Sequence, residues 1–529
     1  MPPTCWLTSS LSRIFPLSEA GSKRKLTVLA ARGERVSFQA CIKAPPGDPL
    51  EVAVSATAPD DIAVRIRRVG CVPVPHFNTA TPLEELDGVG HIPGFVPDPL
   101  FDEPTAVVAG GEAQSFWFTV TVPTDATPGA HEIAVEIEAS GKKHSLAATV
   151  QVSELALQPR RDFPVTHWYY ADALCDWYKA APFSREFWPL NEAYFRNCVE
   201  HGQDTILTPI FTPPTDGVKR PTQLLSVTKK GGKYSFDWTD VKKWIRQAKA
   251  CGFQNFEWAH LFSQWGVRNA LRVYEGQGLD EKLLWPPETG ATSDTYRAFL
   301  AQFLPEFERF LKAEKLLARS FFHVSDEPHG EEHLANYQAA RGLLQELAPW
   351  MKVMDALSEI DYGRRQITDM PIPSIGITRQ YAEEGIPSWT YFCCGPRGTY
   401  LNRLLDTPLP KTRMAGWLFY RFQRLGFLHW GYNYWYKSQT RQLIDPFTCT
   451  DGAAWPGWAY GDTSLVYPGE SGPIDSIRHE VFAESLQDYA LLQTASVEPG
   501  GKLLSPLVDF NDFPKDETWI VKARKAILG

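Results

Sequence analysis

The chain has 529 residues, 43% hydrophobic and 22% charged, which describes a folded globular protein of several domains rather than a disordered or fibrous one. A formal net charge of −9 with no dense basic run argues against nucleic acid or an anionic membrane surface as a partner. Nine scattered cysteines without a Cys-x-x-Cys pair are no disulfide framework, and no stretch approaches the roughly 18 apolar residues of a membrane span. The start, MPPTCWLTSSLSRIFP, lacks a basic head followed by an apolar core. The chain as given is therefore expected to be cytoplasmic, or secreted or periplasmic if an export signal has been removed.

Residues 1–158 read as an all-β sandwich. Apolar residues alternate at Val36, Phe38, Ala40 and Ile42, at Ile62, Val64 and Ile66, at Phe116, Phe118, Val120 and Val122, and at Ile133, Val135 and Ile137. Turn residues separate these runs, as at Gly110-Gly111 and Thr127-Pro128-Gly129. The stretch from Leu157 to Pro164, with two prolines and three charges, marks the boundary.

From 159 to 440 short apolar strands alternate with helices. Candidate strands lie at 164–170, 204–211, 254–262, 320–325, 352–357, 374–380, 388–394 and 426–435. One helix is expected to start at a capping Asp240 and to end at Gly252, another to run through Tyr296 and Leu311 with a bend at Pro305, and a third to carry Leu334 to Leu347. Eight strands with interposed helices predict a (β/α)8 TIM-type barrel, with a doubly wound open sheet as the alternative. Residues 441–529 form an extension packed on the barrel, with a helix from Ile477 to Leu492. Of 18 tryptophans, 15 fall between Trp168 and Trp458, a density suited to a sugar-binding pocket as well as to a large core.

In a barrel, chemistry gathers at the C-terminal strand ends. There the segment Phe321-Phe322-His323-Val324-Ser325-Asp326-Glu327-Pro328 presents two adjacent carboxylates, with Pro328 expected to push Glu327 toward extended backbone. Adjacent side chains on an extended chain diverge, so the two acids cannot flank an anomeric carbon as a retaining pair does at about 5 Å. In a glycosidase this leaves the substrate's own 2-acetamido oxygen as nucleophile, with Asp326 orienting the acetamido group and Glu327 as general acid. The same dipeptide also suits the positive end of a helix.

Further candidates lie on neighbouring strand ends: Tyr391 for the acetamido carbonyl and Trp389 for the wall of its pocket; Trp430, Asn433 and Tyr434 on the last strand; Trp258 and His260, beside Glu257, on the third; His323 on the fourth; and Trp168, beside His167 and Asp172, on the first. For each of them core packing is the competing reading. The adjacent Cys393 and Cys394 read as small buried hydrophobes pointing to opposite sides of a strand. No metal is expected, because His329-Gly-Glu-Glu-His333 has Gly330 where a zinc-protease motif needs glutamate. No cofactor is expected either, since no dinucleotide fingerprint, Walker loop or nucleophile elbow is present.

Four motifs in order, Phe-His-Val-Ser-Asp-Glu-Pro (322–328), Trp389-Thr-Tyr-Phe-Cys-Cys-Gly-Pro396, Gly426-Phe-Leu-His-Trp-Gly-Tyr-Asn-Tyr-Trp435 and Leu465-Val-Tyr-Pro-Gly469, give the chain its resemblance to glycoside hydrolase family 123 or a closely related hexosaminidase group. The resemblance spans nearly the whole chain. It implies exo-release of terminal β-linked N-acetylgalactosamine from a glycan by substrate-assisted retention, with the family's Asp-Glu pair at Asp326 and Glu327. The alternatives are a β-N-acetylglucosaminidase or broad β-N-acetylhexosaminidase of the same mechanism, or a non-catalytic glycan-binding protein. Oligomeric state is not legible.

Overall fold

The computed structural model describes residues 2–214, 220–276, 282–450 and 455–529. The period-two runs form two packed sheets. One has seven strands in the order Thr4–Ser9, Arg35–Lys43, Ala113–Thr121, Ala63–Val74, Gly94–Phe101, Pro473–Ser476, Tyr467–Pro468; the other has five, in the order Lys25–Arg32, Lys142–Ala156, Gly129–Ala139, Leu50–Thr57, Thr105–Val108. Their shared core stacks Phe38 on Phe118 with centroids 4.7 Å apart. Leu50–Thr57 of the five-stranded sheet keeps its alternate residues in solvent, whereas Arg35–Lys43 is buried on both faces. Its second face is covered by the segment 6–14, where the Ser9 and Ser12 carbonyls accept from Gln39 and Trp6 and Ile14 pack on Cys41, and at the Arg35 end by the C-terminal helix Ile477–Thr494, whose Gln487 accepts from the Arg35 amide at 2.8 Å.

The second layer is a curled parallel sheet of six strands, in the order Ser320–Phe321, Asn255–Trp258, Thr205–Thr208, Val165–His167, Phe427–His429, Thr390–Tyr391. A separate parallel pair, Met354–Leu357 and Met370–Pro373, touches its two edges through the single bridges Phe322–Val353 and Ser374–Tyr391. The strands are two to four residues long, shorter than the apolar runs that announced them. The strand expected at 374–380 lies earlier, at Met370–Pro373, and the last three residues of the expected span open the helix Thr378–Glu383. Pro371 and Pro373 hid this strand, because proline argues against a ladder position except at edges.

Helices flank the sheet. Thr239–Cys251 ends at Gly252, whose φ of 114° is costly for any residue with a Cβ. Asp240 does not cap it: it lies within the first turn, and Asp237 instead accepts from the Thr239 amide at 2.9 Å. Asp294–Ala313 continues through Pro305, held by its buried aromatic stripe, in which Phe299, Phe303 and Phe307 stack in sequence.

The C-terminal segment binds the layers together. Its strand Pro473–Ser476 pairs with Gly94–Phe101 of the seven-stranded sheet, and the helix Ile477–Thr494 is buried on nearly every side. Glu480, Glu484 and Asp488 form a stripe at i, i+4, i+8 on that helix. Arg67 of the sheet donates to Glu480 and to Asp475, both at 2.6 Å, and Arg413 and Arg524 engage Glu484 and Asp488. Among the described residues no helix is long and apolar enough to cross a membrane.

Candidate active site

Beyond Phe321 the fourth strand runs out as His323-Val324-Ser325-Asp326-Glu327, before the helix Gly330–Leu347 begins. Glu327 is not extended. Its φ is +42°, left-handed backbone that costs a non-glycine residue about 1–2 kcal/mol and gathers at functional sites. Tertiary contacts override the proline's local preference: the Glu327 amide donates to Ala356 O at 3.2 Å, and the Trp265 amide donates to Asp326 O at 2.9 Å.

This backbone sends the two carboxyls to different walls. Asp326, 6% exposed, accepts from Gln264 Nε2 at 3.0 Å, while Glu327 Oε1 accepts from the Tyr391 hydroxyl at 2.5 Å. Burial, then the charge of Glu327, pushes the Tyr391 phenol well above its ordinary range, so it is a neutral donor. Both acids line a cavity of about 430 Å³. Its aromatic wall is Trp430, Trp455 and Trp458, the last two stacked at 4.1 Å, with Asp462 accepting from the Trp430 and Trp458 indoles at 2.8 and 2.9 Å.

Of the other residues singled out in the sequence, Tyr391, Trp430 and Trp168 also line this cavity. Trp389 does not: its indole packs edge-on against Phe321, in the space a Cβ at Gly426 would need. Trp258 faces the helices, donating to Ser320 Oγ and meeting Phe307 edge-on at 4.9 Å. Asn433 clamps the backbone of Tyr170, accepting from its amide at 2.8 Å and donating to its carbonyl at 3.1 Å. Tyr434 backs Trp430 at 5.3 Å and donates to Ser438 O. His167 and Asp172 are buried and do not line the cavity.

His260 and His323 are fully buried, their rings tilted at 31° with centroids 4.3 Å apart, and His260 is edge-on to Trp168. His323 joins two buried acids, Glu257 at 2.8 Å from Nε2 and Asp355 at 3.2 Å from Nδ1. Burial acts to lower its pKa, but hydrogen bonds to Asp355 and Glu257 outweigh that and hold it at about 10. Burial and this neighbouring cation push His260 well down, leaving it neutral. His260, His323 and Asp355 lie close enough to share a cation, but His323 already spends both ring nitrogens on carboxylates.

Cys393 and Cys394 do not point apart. The strand ends at Tyr391, the chain bends, and both thiols line the cavity with sulfurs 3.9 Å apart. Gln264, Trp265, Trp455 and Trp458 were missed from sequence because they lie in loops beyond the candidate strands, where no periodicity assigns a direction. The only available signal was the tryptophan density itself.

Paired acids at a strand end, facing a cavity walled by tryptophan, define a glycoside hydrolase site. The family follows from comparison with known proteins. The model of the glycoside hydrolase 123 catalytic domain matches residues 168–495, and the chain belongs to glycoside hydrolase family 123. No relative among curated protein sequences matches. Among solved structures, a family 123 glycoside hydrolase from Clostridium perfringens, studied for glycolipid glycan hydrolysis, superposes with a TM-score of 0.77 at 14% identity, over 99% of this chain and 97% of that one. A GH2 β-galacturonidase from Eisenbergiella tayi aligns at a TM-score of only 0.32 and 12% identity, covering 92% of this chain and 72% of that one.

Proposed function

We propose that the protein is an exo-acting, retaining glycosidase that releases terminal β-linked N-acetylgalactosamine by substrate-assisted catalysis. The observation that carries this reading is the cavity's acid content: among the described residues that line it, Asp326 and Glu327 are the only carboxylates. Retention through a protein nucleophile needs a second acid across the sugar from the first. With both acids adjacent, the 2-acetamido oxygen is left as the internal nucleophile.

In the first step that oxygen bonds to the anomeric carbon as the glycosidic bond breaks, and Glu327 gives its proton to the leaving oxygen. Asp326, steadied by Gln264, accepts from the acetamido N–H and offsets the charge that develops on it. Tyr391 stabilises the Glu327 carboxylate that results. In the second step Glu327 takes a proton from water, which attacks the anomeric carbon and reopens the oxazolinium ring with net retention. The tryptophan wall offers apolar faces to the sugar ring. The same reading takes the curled sheet, the parallel pair and the two bridges as one ring of eight strands, a (β/α)8 barrel with the acids at its C-terminal end. A glycolipid glycan, the substrate class of the Clostridium perfringens relative, is the natural substrate to test.

Hydrolysis of p-nitrophenyl β-N-acetylgalactosaminide, its glucosaminide epimer and the plain β-galactoside tests the proposal, with an acetamido-derived thiazoline as inhibitor. Cleavage of the first above the second, none of the third, and block by the thiazoline are expected. Equal cleavage of the plain galactoside overturns substrate assistance. Glu327→Gln is expected to lower kcat about 10²–10⁴-fold on a poor leaving group while thiazoline binding persists.

A further inference from the structure

We propose that Glu257, His323 and Asp355 form a positioning unit that holds the Trp168 wall and the Asp326–Glu327 strand end in register, with His323 as the link. This rests on the reading of Asp326 and Glu327 as the reacting acids.

The geometry divides the unit into two arms. On one, Glu257 accepts from Thr166 Oγ1 at 2.5 Å and from the Trp168 indole at 2.8 Å, fixing a cavity wall carried by the first strand. On the other, Asp355 accepts from the backbone amides of Val324 and Ser325 at 3.2 and 3.3 Å, and from the Tyr337 hydroxyl of the helix behind. Those amides immediately precede Asp326. The ring of His323 joins the arms, and only its cationic form donates from both nitrogens at once. Glu257, His323 and Asp355 are all at most 1% exposed, so none reaches substrate.

A buried charge network adds little net stability compared with packed apolar side chains of the same volume. What this one supplies is direction. It pins two amides of a segment whose carbonyls already accept from the Leu261, Phe262 and Trp265 amides, and it sets the plane of an indole in the cavity. Displacement of a reacting group by about 1 Å can cost on the order of 10²-fold in rate.

Two isosteric substitutions separate the arms. Asp355→Asn is expected to lower kcat on the aryl N-acetylgalactosaminide about 10–100-fold with KM changed less than about 3-fold, because the acids shift while the wall stays. Glu257→Gln is expected to act mainly on KM and thiazoline affinity, weakening each about 10-fold, because the Trp168 indole, Thr166 and His323 are left with one neutral amide oxygen in place of a carboxylate. Amide hydrogen exchange gives a readout independent of turnover: Val324 and Ser325 are expected to exchange about 10-fold faster in Asp355→Asn and by a smaller factor in Glu257→Gln, which reaches them only through His323. Tyr337→Phe, which removes one donor from Asp355 and leaves the carboxylate, serves if Asp355→Asn fails to fold, and is expected to move kcat and the same two amides in the same direction but less. Lower stability alone, with kcat, KM and exchange as in wild type for the folded fraction, overturns the proposal. If the wild-type protein cleaves no acetamido sugar, the reading of the site fails, and the exchange measurement still decides whether Asp355 holds the strand end.

Discussion

At the scale of single residues, the site depends on groups whose state is set by what is packed against them. Tyr391→Phe removes the neutral donor on Glu327 Oε1, a hydrogen bond to a charged group worth about 1.5–3 kcal/mol, so kcat/KM is expected to fall about 10–100-fold with little change in unfolding midpoint. His323 faces Glu257, Asp355 and neutral His260. Its pKa is raised from 6.5 to about 10, so the stability it contributes is fully present below pH 6.5 and is lost as pH rises through about 10. The stability difference between wild type and His323→Gln, measured by urea unfolding, is expected to shrink over that interval; a constant difference would show that His323 is not protonated. Asp326 and Glu327 were legible in sequence because adjacency and a following proline are local facts. The left-handed φ of Glu327 was not, because distant partners, Ala356 O for its own amide and Asp326 O for the Trp265 amide, impose it.

At the scale of elements, the helix Ile477–Thr494 was legible as a helix, but its role was not. Apolar periodicity finds a helix with one buried face, whereas this one is buried nearly all round and spends Glu480, Glu484 and Asp488 on arginines from three other segments. Burial alone would raise the pKa of Glu480, but Arg35 and Arg67 outweigh it and hold the carboxyl well below 4.5. Its stabilisation is thus present above pH 4.5 and lost as pH falls through the lowered value. Glu480→Ala leaves Arg67 buried beside a single remaining carboxylate, and a loss of about 3–5 kcal/mol in urea unfolding is expected. Breaking the exposed Arg196–Glu192 pair is expected to leave the urea midpoint nearly unchanged, because solvent screens it. The neighbouring helix Ala415–Arg421 approaches so closely that a Cβ on Gly416 would stand 1.7 Å from Ser485 O. Gly416→Ala must push the two helices apart, at an expected cost of about 1–3 kcal/mol or more.

At the scale of the whole molecule, the layers share their charges. Arg67 reaches Asp475 and Glu480, Asp98 reaches Arg478, and Glu34 reaches Arg524, each pair joining the first 160 residues to the last 60. The chain is accordingly expected to unfold in one cooperative transition by calorimetry, and a variant lacking residues 1–158 is expected to lose the cooperative transition of the remainder. Two resolved transitions would contradict this. The sequence by itself determined the strand-rich first third, the alternation of strands and helices after it, the family and the paired acids, because periodicity, turn residues and short motifs are properties of neighbours in the chain. Only the tertiary structure decided which tryptophans face the cavity, that Cys393 and Cys394 turn to the same side, that Trp389 and Trp258 pack away from the cavity while Asn433 clamps the Tyr170 backbone, and that His323 is held between two acids. Each of these depends on which residues distant in sequence arrive at the same place, and a one-dimensional pattern carries no direction for side chains in loops or at the ends of strands only two to four residues long.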